Sequence, residues 1–223
     1  MEAPRFQPQP PTVAAPARAG LRPSEDRLLG ALAVVAMLGL MWLVELVNHD
    51  EHGRLDQYGI RPRSEAGLEG LVTGPFLHAS YAHLIGNTTP FLVLGLLIAW
   101  NGYRRVLFVA ALVGLLSGFG VWLLAPGNED VFGASGVVFG FAAYLIARGF
   151  FTHSPAQLLV AVCVLAVFGT TLAFSLLPHP NVSWQGHLYG VLAGVLAARL
   201  IDGRPAPTRA PGPSLPPPEP PPA

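Results

Sequence analysis

The chain has 223 residues, 52% of them apolar and only 12% charged, with a formal net charge of zero. Soluble domains carry roughly 25% charged residues, so this composition excludes the ordinary soluble class and points to a core lying in lipid. A neutral chain also gives a nucleic-acid partner no electrostatic footing. All thirteen basic residues are arginine, a bias in keeping with a GC-rich bacterial source. The single cysteine, Cys163, excludes an internal disulfide and a cysteine-rich metal centre. It is expected to be a small packing residue.

Residues 1–27 are polar and rich in Pro, Ala and Arg, and read as a disordered tail. They are too long and too polar to front a signal peptide. Six apolar runs follow, at 28–47, 82–100, 106–125, 131–147, 156–177 and 182–200. Each has, or nearly has, the roughly 20 residues that a helix needs to cross about 30 Å of hydrocarbon. The first connection, 49–77, is too long for a turn and is predicted to fold on or in the outer leaflet, its Arg and Glu residues forming a solvated surface. Glu45, at the end of the first run, is expected at the membrane interface. So are Trp42, Trp100, Trp122 and Trp184. Residues 202–223 are dominated by proline and read as a loose extended tail. The fold class is therefore an all-α membrane protein, with one six-span domain over 28–201 between two tails.

Arginine placement orients the spans. With both termini cytoplasmic, ten of the thirteen arginines fall inside, and only Arg54, Arg61 and Arg63 in the first loop fall outside.

Polar groups inside spans are costly, and they usually face the bundle interior with a partner. The second span carries His83 and Asn87, preceded by His78; the fourth carries Ser135 within Gly133-Ala134-Ser135-Gly136; the sixth carries His187. Counted from Arg148, Ser135 lies about 20 Å up its helix; counted from Arg199, His187 lies about 18 Å up its own. Asn87 lies about 22 Å from the Gly102 turn, so three helices bring polar groups to one level. Glycines supply closeness: Gly186, Gly190 and Gly194 form a four-residue stripe on the sixth span, and Gly136 and Gly140 repeat the spacing on the fourth. Such small-residue faces let membrane helices approach closely.

A serine hydroxyl becomes a nucleophile when a base takes its proton, and a neutral His187 imidazole suits that task. The Ser135 N–H, at a helix start, is a free donor for an oxyanion. His83 and Asn87, one turn apart on one face, add side-chain donors. His78, before the helix, is expected to brace the loop, and Pro90 to kink the second span. No acidic residue in the fourth or sixth run can orient His187, which predicts a dyad rather than a triad. Phe139, one turn below Ser135, either holds the imidazole by stacking or fills core space.

His78-x-x-x-x-His83-x-x-x-Asn87, Gly133-Ala134-Ser135-Gly136 and His187-x-x-Gly190-x-x-x-Gly194, in that order on alternate spans, resemble the rhomboid intramembrane proteases. The resemblance covers roughly 28–201 and implies a six-helix bundle around a cavity open to the outer face. It implies Ser135 as nucleophile, His187 as base, and His83, Asn87 and the Ser135 N–H as oxyanion donors. It also implies single-span membrane-protein substrates cut near the outer boundary, no metal or cofactor, and a place in the bacterial plasma membrane. The fifth span becomes the expected substrate gate and 178–183 the expected lid. Two features depart from the family pattern: the first loop has no tryptophan beside arginine, and Phe139 stands where relatives often carry tyrosine. Three other readings compete. They are a zinc site built from His78, His83 and His187, a silent client-binding relative, and a small transporter lined by intramembrane His and Asn.

Overall fold

The computed structural model describes residues 21–127, 130–178 and 183–203. Most of both predicted tails and most of the predicted lid at 178–183 lie outside the described residues. Six long helices cross side by side: α1 (Pro23–Asp50), then, after the four-residue α2 (Gly70–Thr73), α3 (Tyr81–Ala99), α4 (Tyr103–Leu124), α5 (Ser135–Thr152), α6 (Pro155–Phe174) and α7 (Trp184–Asp202). Five of them, α1 and α3 to α6, are long and apolar enough to span a membrane. The sixth, α7, is less apolar because its face toward α5 is spent on Gln185, His187 and glycine. Among the described residues there is no strand, only an isolated bridge between Ile60 and Val131. The six-helix all-α membrane architecture expected from the sequence is the one observed.

Helix limits differ from the apolar runs where local chemistry outweighs hydropathy. The first helix begins at Pro23 rather than 28, so residues 23–27 belong to the helix and not to the tail. Proline is pre-shaped for a first helical position, and Glu25 and Asp26 sit where the helix dipole favours negative charge. Glu25 also reaches back to accept the Arg22 N–H at 3.0 Å. The fourth run loses its first residues: 131–134 is non-helical, and α5 begins only at Ser135. Gly133, at φ +129°, breaks the chain direction there, and Val131 pairs with Ile60 instead. At the other end α5 continues past Ala147 to Thr152, which carries Arg148 into the bundle instead of closing it.

α5 is the most buried span and α6 the least. The core around α5 is filled by Phe91, Phe141, Tyr144, Met41 and Leu84. Glycine brings α5 and α7 together: a Cβ at Gly190 would strike the Gly136 carbonyl, and one at Gly194 the Gly140 carbonyl. Cys163, expected to pack, is instead exposed on α6. Glu45, expected at the interface, is buried at 3% exposure.

The first loop is not a solvated surface throughout. Arg63 donates to the Leu123 and Ala125 carbonyls at 3.2 and 2.8 Å, capping the end of α4, whose last carbonyls lack helical partners. Trp122, from α4, donates to the Ser64 carbonyl at 2.9 Å, so a tryptophan outside the loop anchors it. Arg61 pairs with Asp130 at 2.9 Å, and the Gly133 N–H donates to the Gly74 carbonyl at 2.9 Å. The loop thus holds the segment that leads into Ser135.

Candidate active site

Ser135 is the first residue of α5, and His187 lies in the first turn of α7. The His187 Nε2 stands 2.9 Å from the Ser135 Oγ, within hydrogen-bond reach. On the other side of the ring, Nδ1 lies 2.9 Å from the Ser175 carbonyl oxygen, just past the end of α6. A carbonyl only accepts, so Nδ1 carries the hydrogen and Nε2 presents its lone pair to the serine hydroxyl. The two contacts together give the tautomer that a general base requires. Phe139 lies flat on the imidazole, with ring centroids 4.1 Å apart and planes 4° apart. Stacking, one of its two expected roles, is what the structure shows.

The ring is clamped from three elements. α5 supplies Phe139 beneath it, the end of α6 supplies the carbonyl, and the Ser183 side chain accepts the Gly186 N–H at 3.4 Å to start α7. Among the described residues no acidic side chain takes part. The Ser175 carbonyl is the group that sequence reasoning missed, because a backbone acceptor has no residue-type signature.

α3 faces Ser135 with His83 and Asn87, and the N-cap Ser80 accepts the His83 N–H at 3.2 Å. The Asn87 Nδ2 is buried and, among the described residues, makes no hydrogen bond. His83 packs over Gly133, where a Cβ would overlap the imidazole; positive φ and close approach both call for glycine there. His78 is 1% exposed, and its Nε2 accepts the Ala134 N–H at 3.4 Å, so it braces the residue before Ser135 as expected. Burial, with His83 beside it, holds its imidazole down to about 4, which keeps it neutral and able to accept.

Ser135, His187, His83 and Asn87 line one cavity of about 1080 Å³ at the loop end of the bundle, with Gly133 and Gly136 in its wall. Gly190 and Gly194 stay outside it and set the α5–α7 spacing. The imagined zinc site is not formed: His187 Nε2 faces Ser135 and His78 Nε2 faces the Ala134 N–H, so the three imidazoles do not converge. Among the described residues no three His, Cys, Asp or Glu groups are placed to hold a metal.

Fold and site together define a multi-pass α-helical membrane protein with a serine–histidine pair in a polar cavity. Residues 66–203 match the Rhomboid domain family, and the chain belongs to that family. It is 39% identical to an uncharacterized protein of Mycobacterium tuberculosis, Rv1337, over 182 residues, covering 78% of this chain and 76% of the relative. An uncharacterized Mycobacterium leprae protein, ML1171, is 36% identical over 190 residues, 82% of this chain and 76% of its own length. A Bacillus subtilis protein named "Putative rhomboid protease YdcA" is 31% identical over 135 residues, 58% of this chain and 65% of its own.

Proposed function

We propose that this protein is an intramembrane serine endopeptidase that cuts membrane-embedded segments of single-span proteins near the outer face of a bacterial plasma membrane, with both its termini cytoplasmic. The observation that carries the reading is the Ser135 Oγ to His187 Nε2 distance of 2.9 Å, with Nδ1 held by a carbonyl acceptor. A silent relative has no need of that tautomer. The polar lining of a transporter has no need of it either.

In the proposed reaction, the Ser135 Oγ attacks the scissile carbonyl carbon while His187 Nε2 takes the hydroxyl proton. Negative charge develops on the carbonyl oxygen. Three donors answer it: the Ser135 N–H at the head of α5, the Asn87 amide and the His83 imidazole. Collapse of the adduct breaks the C–N bond, and the imidazolium returns its proton to the leaving amine. Water then gives a proton to His187 and attacks the acyl-serine, and collapse releases the carboxylic product and restores the Ser135 hydroxyl. The chemistry needs no metal or cofactor.

The test is cleavage of a membrane-embedded reporter by the full-length protein in lipid. Ser135→Ala and His187→Ala each lower turnover by about 10⁴-fold or more, at unchanged expression and melting temperature. A fluorophosphonate labels Ser135 in the native chain, and His187→Ala slows that labelling. Undiminished cleavage by either variant overturns the dyad.

A further inference from the structure

A second polar cluster lies at the opposite end of the bundle, and the proposed chemistry does not use it. Arg105 from the first turn of α4, Tyr144 and Arg148 from α5, and Asp202 at the end of α7 meet there. The Arg105 Nη1 is 2.7 and 2.8 Å from the two Asp202 oxygens, and the Tyr144 hydroxyl donates to Asp202 Oδ2 at 3.0 Å. The Arg148 Nε faces Asp202 Oδ1 at 3.4 Å, while its Nη2 donates to the Asn101 Oδ1 at 2.9 Å.

Two guanidiniums therefore share one carboxylate. Arg148 is 7% exposed, and its Nε and Nη1 make no hydrogen bond among the described residues. An unbalanced buried cation is among the costliest arrangements a fold can hold. Asp26, the carboxylate that shares the wall of the neighbouring cavity, accepts the Tyr103 N–H at 3.2 Å and lies near the exposed Arg104. Within the cluster and the adjoining cavity wall alone, Arg104, Arg105 and Arg148 stand against Asp26 and Asp202, which leaves one positive charge over.

The cluster backs onto a cavity of about 630 Å³. Asn101, Arg104 and Arg105 form its polar wall, with Asp26 beside them, and Phe108, Leu200 and Ile201 form its apolar wall. Phe108 and Leu200 are exposed on the flank of the bundle, where lipid chains lie. A head of negative charge and a hydrocarbon tail match these two walls.

We propose that this cavity binds the phosphate headgroup of an anionic phospholipid, with Arg104 and Arg105 at the phosphate, its charge balancing Arg148 behind Asn101, and an acyl chain along Phe108, Leu200 and Ile201. Basic recesses between spans are suited to such headgroups. The apolar wall selects lipid over free phosphate.

The test uses the full chain in nanodiscs of phosphatidylcholine with and without phosphatidylglycerol, read by thermal melting and by native mass spectrometry. Phosphatidylglycerol raises the melting temperature by about 3 °C or more, and a phosphatidylglycerol molecule stays bound on release from the disc. Arg104→Gln, at an exposed head, shrinks the gain and weakens retention. Arg148→Met removes the surplus charge; it melts no lower than the native chain in phosphatidylcholine and gains nothing from phosphatidylglycerol. If both variants keep the full gain and retain the lipid, the site does not exist. If inorganic phosphate in neutral detergent reproduces the gain, the ligand is free phosphate and the lipid assignment falls.

Discussion

Asn87 holds a donor in reserve. Its amide nitrogen is buried beside Ser135 and unsatisfied among the described residues, a state that costs stability unless something arrives to accept the hydrogen. A carbonyl oxygen gaining negative charge is such an acceptor. Removing the amide should then cost rate and spare the fold. Asn87→Ala is expected to lower kcat on a membrane reporter by about 10²–10³-fold, the range for one oxyanion donor, while the melting temperature holds or rises. Single-turnover cleavage beside a thermal melt checks both halves. An Asn87→Ala enzyme with native kcat would show that the oxyanion relies on the Ser135 N–H and His83 without it. Phe139 carries a different lesson. Its residue type admits stacking or mere packing, and only the 4° angle between its ring and that of His187 decides the matter.

At the scale of the helix, the dyad depends on how closely α5 and α7 run. Gly190 and Gly194 lie against the Gly136 and Gly140 carbonyls with no room for a Cβ, so a side chain at Gly190 must push the helices apart. Gly190→Leu is expected to abolish fluorophosphonate labelling of Ser135, because an increase of about 1 Å between the helices already takes Nε2 out of reach of the hydroxyl. Native labelling in that variant would refute the pairing of these faces. This spacing was legible in the sequence because small residues four apart mark one helical face whatever surrounds them. So was the shared level of Ser135, His187 and Asn87, which follows from counting along helices. The true start of α5 was not legible, since 131–134 is as apolar as a span and only Gly133 and the Ile60 bridge keep it out of the helix. Nor was the Ser175 carbonyl, a backbone group, or the bonding of Arg61 and Arg63, whose partners lie on a distant loop and helix end.

Across the whole molecule, the arginines divide by the company they keep. At the Ser135 end, Arg61 is tied to Asp130 and Arg63 to two carbonyls, and Arg54 pairs with Glu51 at 2.9 Å. At the opposite end the half-buried Arg105 and the buried Arg148 share one carboxylate, and Arg104 has its charged head in solvent. Arginine is enriched on the cytoplasmic side whatever its partners, and among the described residues Arg22, Arg27, Arg104, Arg105, Arg148 and Arg199 lie at the end opposite Ser135, so the Ser135 cavity should open outward. The single native cysteine makes this measurable. Starting from Cys163→Ala, a cysteine placed at Glu65 in the first loop should react with a membrane-impermeant maleimide in intact cells. One placed at Leu21, before α1, should react only after the membrane is permeabilised. The reverse pattern would turn the bundle over and move the proposed cleavage to the cytoplasmic face. The Ser135–His187 geometry would be untouched by that outcome, but the arginine at the two ends would then need a different cause.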